Sequence, residues 1–320
     1  MSAATIYAQE SRVATLTHDG TVSAFYGVNA LINANNAAVD GDIITLSGGS
    51  FNGITISKSL TIKGSGMENN ENENIEETKI ISAINVNMNN GQNPIRLENM
   101  SVSEPLRIQS VVTNAIFKKC YFSNIVNNGD NSTGQLVNAN FIQCRIDYAN
   151  HSYENTSSSF SYINCLITSS LWTSSNANAT FLNCSFGVDT PWNSGVKRGT
   201  FINCVIGTNL NNYAMTSGCS VENCLGYTTS QYNTNPFSSI SAKNSTFYRG
   251  NVFKDNISYE LTDAAKNLVT GTDGTEVGIY GGAYPYNPIP DYPRITKFNV
   301  ANKTTADGKL SVDIEVKSVE

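Results

Sequence analysis

The segments FIQCRI (141–146), YINCLI (162–167), FLNCSF (181–186) and FINCVI (201–206) are copies of one short pattern, and this pattern decides the fold. Related copies lie on both sides, and six of them carry a cysteine at the same position: Cys120, Cys144, Cys165, Cys184, Cys204 and Cys224. These cysteines are 24, 21, 19, 20 and 20 residues apart. In the outermost copies Met100 and Ser245 take the place of the cysteine. Eight copies at one period indicate a repeat architecture.

The order of residues within a copy predicts its local structure. Counting from the cysteine, an apolar residue stands at −3 and another at +2, and asparagine is usual at −1. Because side chains alternate along a strand with period two, −3 and +2 both face inward only if the strand bends between them. Asparagine tolerates the left-handed backbone of such a bend. We expect these asparagines to stack as an amide ladder: Asn99, Asn164, Asn183, Asn203, Asn223 and Asn244.

A unit of about 20 residues with short strands and no helix predicts one coil of a parallel β-solenoid. Each coil adds about 4.8 Å of length. Leucine-rich repeats have a similar period, but their leucine pattern is absent. The predicted fold is all-β, a single-stranded right-handed parallel β-helix of roughly ten coils, with an N-terminal helical cap and a C-terminal β-hairpin tail.

The N-terminal run FYGVNALINANNAAVDGDIITLSGGSFNGITISKSLTIKGSGM (25–67) resembles the opening of the pectate-lyase-like (pectin lyase-like) superfamily of right-handed parallel β-helix proteins. The resemblance implies a cap helix with Val28, Leu31 and Ile32 on its apolar face. It also implies a first core layer: Ile43, Leu46, Phe51, Ile54, Ile56, Leu60 and Ile62. The run GTDGTEVGIYGGAYPYNP (271–288) resembles the end of many secreted bacterial β-helix proteins. The resemblance is specific for the fold and not for an activity.

The chain divides into three predicted parts. Residues 1–9 resemble a signal-peptide remnant or a frayed terminus, residues 10–290 form the capped β-helix, and residues 291–320 form a hairpin or tail. The acidic insertion at 67–79 is interpreted as a solvated loop. We expect an extracellular, periplasmic or outer-surface bacterial protein. Oligomeric state is left open.

Composition excludes several classes of function. Only 14% of the residues are charged, the net charge is −6, and 43 residues are asparagine. No basic block is present, so nucleic acid is not an expected partner, and no apolar run is long enough for a transmembrane segment. The seven cysteines are expected to be reduced, inward-facing small hydrophobes. Two histidines and no C-x-x-C pair predict no metal site and no cofactor. Calcium is left open because NNGDNSTG (127–134) and GTDGTE (271–276) are rich in oxygen ligands, although both lack a recognised spacing.

The catalytic motifs of the related enzymes are missing. Pectate lyases use a cluster of carboxylates with an arginine base, polygalacturonases use paired aspartates, and pectin methylesterases use aspartates in fixed contexts. The acids of the repeats, such as Asp147 and Glu222, fall at different repeat positions, so no catalytic pair is nominated. The expected protein is therefore a non-catalytic glycan-binding or adhesion module. The alternatives are a polysaccharide lyase or glycoside hydrolase with a diverged site, and a structural or protein-binding rod.

A second series of residues supplies the candidate ligand site. Five aromatic residues follow the repeat at intervals of 19 to 21 residues: Tyr153, Trp172, Trp192, Tyr213 and Tyr232. If they lie in one exposed column, they form a platform on which sugar rings stack, and a polysaccharide or surface glycan is the expected partner. The alternative is an inward aromatic stack that fills the solenoid. Solvent exposure of the rings distinguishes the two.

Overall fold

The structure is a computed structural model. It describes residues 11–88, 94–127, 134–151, 158–187, 196–207, 218–229, 235–238, 240–300, 303–305 and 307–318. Two short helices are present in this part of the chain, α1 (Ala30–Ala37) and α2 (Asp263–Lys266), together with a 3-10 helix at Glu71–Glu73. No helix of the described residues is long and apolar enough to cross a membrane.

The strands, in chain order, are β1 (Val13–His18), β2 (Thr21–Tyr26), β3 (Ile43–Leu46), β4 (Gly49–Phe51), β5 (Thr55–Ile56), β6 (Thr61–Lys63), β7 (Thr78–Ile80), β8 (Ile84–Val86), β9 (Arg96–Glu98), β10 (Ser101–Val102), β11 (Leu106–Ile108), β12 (Val111–Thr113), β13 (Ile116–Lys118), β14 (Tyr121–Phe122), β15 (Ile125–Asn127), β16 (Gln135–Val137), β17 (Ala139–Ile142), β18 (Arg145–His151), β19 (Ser159–Ile163), β20 (Leu166–Thr173), β21 (Asn178–Leu182), β22 (Ser185–Phe186), β23 (Gly199–Ile202), β24 (Val205–Gly207), β25 (Ser220–Glu222), β26 (Leu225–Thr228), β27 (Ser241–Lys243), β28 (Thr246–Arg249), β29 (Arg294–Val300) and β30 (Val312–Lys317).

The strands are wound into a parallel β-solenoid, which confirms the predicted fold. Face 1 stacks the parallel strands β3, β6, β9, β13, β17, β19, β21, β23, β25 and β27. Face 2 stacks β4, β7, β10, β14, β18, β20, β22, β24, β26 and β28. A third face is formed by β5, β8, β11 and β15, and it continues into the second halves of β18 and β20. Each copy of the repeat is therefore the corner where face 1 turns into face 2.

The N-terminal end of the solenoid is capped. Strands β1 and β2 extend face 1 as an antiparallel pair, and α1 buries Leu31 against the first coil. In the first core layer one predicted residue is wrong, because Ile44 is buried whereas Ile43 is 36% exposed. The alternation along β3 has the opposite phase from the one expected at this pair of isoleucines.

The inward positions of the repeat form continuous columns. At −3, five aromatic rings stack face to face along the axis, with centroids 4.5–5.2 Å apart: Phe117, Phe141, Tyr162, Phe181 and Phe201. At +2, Phe122 and Phe186 contact this stack edge-on. The −3 and +2 residues are buried in every copy except the last, where Ala242 at −3 is exposed and Phe247 at +2 is half-buried. The core is thus one column of repeated contacts.

The six cysteines of the repeat form a second inward column, and all seven cysteines of the chain are free and buried. In each coil the thiol donates to the carbonyl of the −3 residue one coil earlier, as Cys144 Sγ does to Phe117 O at 3.3 Å. The thiol of Cys204 also accepts the backbone N–H of Cys184 at 3.5 Å. Burial raises the pKa of the Cys120 thiol to about 12. Cys120 is therefore a structural thiol with little thiolate character.

The bend predicted at −1 is present in every copy. The asparagines there have φ between 49° and 57°, and so do Lys119 and Gln143, which occupy the same position. The predicted amide ladder is largely wrong. Among the described copies one neighbouring pair is joined, Asn244 Nδ2 to Asn223 Oδ1 at 3.4 Å. Other amides of the column donate to a different part of the chain.

That part is an extended segment of residues 270–294, here called the strap, which runs back along the corner between faces 1 and 2. Asn223 donates to Thr270 O at 2.7 Å, and Asn164 donates to Ile279 O and Gly281 O at 2.9 and 2.8 Å. Near the N-terminal coils Tyr292 Oη donates to Gly64 O. The strap therefore satisfies the polar groups of the bends with partners far away in sequence.

Residues 252–279, which include the first part of the strap, cover the outer surface of face 2. They bury outward-facing side chains of the later coils in a second hydrophobic core: Leu166, Val205, Leu225 and Tyr227. After the strap, β29 and β30 form an antiparallel hairpin, as predicted for the tail. The later coils of face 2 are thus covered by this segment.

Candidate functional site

Of the five residues in the predicted aromatic platform, the structure describes one, Trp172. Tyr153, Trp192, Tyr213 and Tyr232 lie outside the described residues. Trp172 lies on β20, where it pairs with Asn150 of the preceding coil. Its neighbours Leu171 and Thr173 are buried, and Trp172 is half-buried. Since side chains alternate along a strand, the indole lies on the outer side of the solenoid. The platform as a whole stays a prediction.

A cavity with a defined lining lies elsewhere, between face 1 and the strap. It has a volume of about 790 Å³, and we call it the Tyr284 groove. Its lining residues come from the repeat corners (Lys118, Lys119, Ile142, Gln143, Ile163) and from the strap (Ala283, Tyr284, Pro285, Tyr286, Asn287, Asp291). This volume is within the range of about 300–1,000 Å³ that is usual for ligand pockets.

The floor of the groove is apolar because of the repeat itself. The −2 residues Ile142 and Ile163 face outward from β17 and β19, and both are half-buried. Above them the strap presents Tyr284, which is 75% exposed. The side-chain amide of Gln143 donates to the carbonyls of Tyr284 and Pro285. This contact fixes the backbone that carries the exposed ring.

One end of the groove is closed by an ion-paired cluster. Lys119 is 2% exposed and donates to Ile289 O at 2.5 Å and to the Asp291 carboxylate. Lys118 Nζ lies 2.5 Å from Asp291 Oδ2. Burial lowers the pKa of Lys119, and the two lysines together hold the pKa of Asp291 below its ordinary value despite its partial desolvation. The groove therefore joins an apolar floor and an exposed aromatic ring to a charged end.

A second, smaller cavity of about 200 Å³ lies on face 2, beside the part that residues 252–279 cover. We call it the Arg145 cleft. Met67, Glu68, Tyr121 and Arg145 line it. The Arg145 guanidinium carbon lies 5.9 Å from the centre of the Tyr121 ring. At the side of the cleft, Asp147 accepts hydrogen bonds from Tyr121 Oη at 2.6 Å and from Thr168 Oγ1 at 2.5 Å.

The acidic insertion builds one wall of this cleft, so its interpretation as a solvated loop is wrong for part of its length. Met67 and Ile75 are buried, and Glu73 is ion-paired with Arg294 at the end of the strap. Glu68 itself is solvent-exposed. The cleft walls still desolvate its carboxyl group and raise its pKa, against the opposing effect of the nearby Arg145 charge.

Sequence reasoning missed both cavities. The groove joins Gln143 to residues 141 and 142 positions later, and the cleft joins residue 68 to residue 145. Neither contact follows the period of the repeat, so the repeat could not predict it. In the sequence, most of the strap was visible only as a run that resembles the end of other β-helix proteins, and the insertion only as an acidic run. Among the described residues, no three histidine, cysteine, aspartate or glutamate side chains are grouped so that they could hold a metal ion.

The tail hairpin exposes an apolar row. On β30, Val312, Ile314 and Val316 are 48%, 51% and 56% exposed, and Val300 on β29 is 44% exposed. Val300 lies opposite Val312, so these residues share one side of the hairpin. No described residue covers this side.

The geometry defines a class: the chain is a parallel β-solenoid with a C-terminal strap and two cavities along it. The chain matches no family model and no curated protein.

Proposed function

We propose that this chain is a secreted or cell-surface bacterial β-helix protein of the pectate-lyase-like superfamily that binds glycans without transforming them. The observation that carries the proposal is the Tyr284 groove. It combines an exposed tyrosine ring, an apolar floor and a charged rim in one cavity of about 790 Å³.

A sugar ring needs this combination of surfaces. Its C–H faces pack on flat aromatic or aliphatic surfaces, and its hydroxyls require donors and acceptors around the edge. Tyr284, Ile142 and Ile163 supply the first kind of surface. Lys118 and Asp291, at 29% and 46% side-chain exposure, supply the second. The groove runs along the solenoid corner, so it suits an extended chain of sugar units.

Trp172 is proposed as a separate glycan contact on the third face. It is half-buried on the outer side of β20, which agrees with a stacking role for an exposed aromatic column. The low charge of the chain, at 14%, also favours recognition of largely neutral ligands. Export to the cell surface is part of the proposal, and cell fractionation tests it.

Glycan-array binding followed by calorimetry on the best ligand tests the groove. We expect Tyr284→Ala to weaken binding by up to about tenfold, because a ring contact of this kind is worth roughly 0.5–1.5 kcal/mol. Tyr26→Ala is the matched control, since Tyr26 is an exposed tyrosine (49%) on β2 of the N-terminal cap, outside the lining of the groove. It is expected to bind as the wild type does.

Equal affinity of wild type and Tyr284→Ala for every bound glycan would remove the groove from the proposal. Loss of binding in Trp172→Ala alone would move the site to the third face. Release of new reducing ends or unsaturated products from pectins or host glycans, with or without Ca²⁺, would replace the binding function by a polysaccharide lyase or hydrolase.

A further inference from the structure

The Arg145 cleft contains two charged side chains that attract each other without touching. Arg145 lowers the pKa of Glu68 electrostatically, yet no ion pair within 4.0 Å joins them. Neither the guanidinium of Arg145 nor the carboxylate of Glu68 makes a hydrogen bond to a described residue. The space between them is the cavity of about 200 Å³. At about 30 Å³ per water molecule, this volume corresponds to roughly six or seven waters.

On the Arg145 side of the cleft, one hydrogen-bond donor has no partner among the described residues. Arg145 Nε is buried and has no hydrogen-bond partner among the described residues. A buried donor in this state carries a desolvation cost that a bound acceptor would remove. On the facing side, the carboxylate of Glu68 is partly desolvated by the cleft walls and accepts no hydrogen bond from a described residue.

The remaining polar groups of the cleft are already committed. Tyr121 Oη donates to Asp147, and burial together with this contact raises the pKa of Tyr121 to about 12. The phenol therefore stays protonated, and Asp147 is occupied by it and by Thr168. Tyr121 consequently acts as a ring surface in the cleft. Met67, 3% exposed, adds an apolar thioether contact.

A ligand group that fits must accept from Arg145, donate to Glu68 and present a small apolar end to Met67 and Tyr121. A secondary acetamide does all three, through its carbonyl oxygen, its N–H and its methyl group. We propose that the Arg145 cleft binds the acetamido group of an N-acetylated amino sugar. A hydroxyl in its place lacks the methyl group, and a free amine would place a second cation beside Arg145.

This inference rests on the proposed glycan-binding function only for the sugar that carries the acetamide. The cleft is lined by residues other than those of the Tyr284 groove. Tyr286 lines the groove, and the charges of Glu68 and Arg145 act on the pKa of its phenol. Tyr286 therefore lies between the two sites. The two sites are therefore separable by mutation.

Saturation-transfer NMR and calorimetry with the full chain test the cleft, with methyl glycosides of N-acetylglucosamine, glucosamine and glucose as probes. Sodium acetate and inorganic phosphate are the anion controls. We expect the strongest saturation at the acetyl methyl group, and binding of the N-acetylated probe at least about tenfold tighter than the other two. Glu68→Ala and Arg145→Gln are expected to abolish that preference.

Glu68→Gln is the conservative variant, because its amide oxygen still accepts a hydrogen bond, and we expect it to retain most of the preference. Tyr284→Ala should leave it unchanged. Equal binding of the three sugars, tighter binding of acetate or phosphate than of the N-acetylated probe, or absence of binding by all probes would each overturn the acetamido site. A glycan that binds the groove but not the cleft would overturn this inference alone and leave the proposed function standing.

Discussion

The inward −3 column and the −1 bend column belong to the same repeat, but they are stabilised in opposite ways. Phe141 lies between rings one coil away on each side, at 4.7 and 4.6 Å. Asn164, at a bend, donates to carbonyls 115 and 117 residues later. The first column depends on neighbours that repeat, and the second depends on a strap that does not.

This difference explains why one column is uniform and the other is varied. Inside the solenoid each coil meets the same surface, so aromatic residues recur at −3 from Phe117 to Phe201. At the bends, each coil meets a different residue of the strap. Lys119 and Gln143 replace asparagine where the strap offers Asp291 and two free carbonyls.

The largest expected effect is in the inward column. Phe141→Ala removes a ring from the middle of the stack, and we expect it to lower the free energy of unfolding by about 3–5 kcal/mol. Phe247→Ala, at the half-buried end of the +2 column, is the control and should cost about 1 kcal/mol. Urea denaturation measures both. Equal costs would mean that the stack does not dominate the core.

The second-largest loss of stability is expected at a bend that contacts the strap. Asn164→Gly keeps the left-handed backbone but removes two hydrogen bonds, so we expect a loss of about 2 kcal/mol. Asn244→Gly removes one long contact to Asn223 at 3.4 Å and should change stability by less than about 0.5 kcal/mol. If the two variants unfold at the same urea concentration, the strap does not stabilise the bends.

A smaller, pH-dependent effect is expected at Asp291. Its pKa is lower in the folded protein than the ordinary 3.8, so its stabilising contribution is present above that value and is lost as pH falls through the folded pKa. Asp291→Asn should cost about 1 kcal/mol at pH 7, because the carboxylate is partly exposed and screened. Denaturation at progressively lower pH below 3.8 should show a shrinking difference from wild type. A difference that persists there would exclude the charge as its cause.

The smallest effect is expected in the thiol column. Cys184→Ser should cost less than about 1 kcal/mol, because a hydroxyl makes the same bonds. Ser245 already does so at the end of the column, accepting from Cys224 N at 3.0 Å and donating to Lys243 O at 2.9 Å. Thermal unfolding measures the change, and Cys184→Val, which lacks both bonds, is the comparison. A serine variant less stable than the valine variant would contradict this role.

The sequence predicted the recurring apolar contacts and bends, and it missed the contacts made by the strap and the acidic insertion. The repeat identified the inward −3 and +2 residues and the bends, because one pattern was sampled eight times. The phase error at Ile43 and Ile44 arose where two adjacent isoleucines fit either alternation. The groove at Tyr284 and the cleft at Arg145 depend on single contacts between segments far apart in sequence, and no period or motif encodes them.

The strap also has a consequence for how the molecule assembles. Coils of a repeat protein form from local contacts and can fray from either end independently. Here Tyr292 contacts Gly64, so the coils between them are closed into one loop of 228 residues. During synthesis the coils can form in order as they emerge, but the corner is sealed only after residue 294 has left the ribosome. The final state is therefore one cooperative unit, whose early coils are held by the end of the strap.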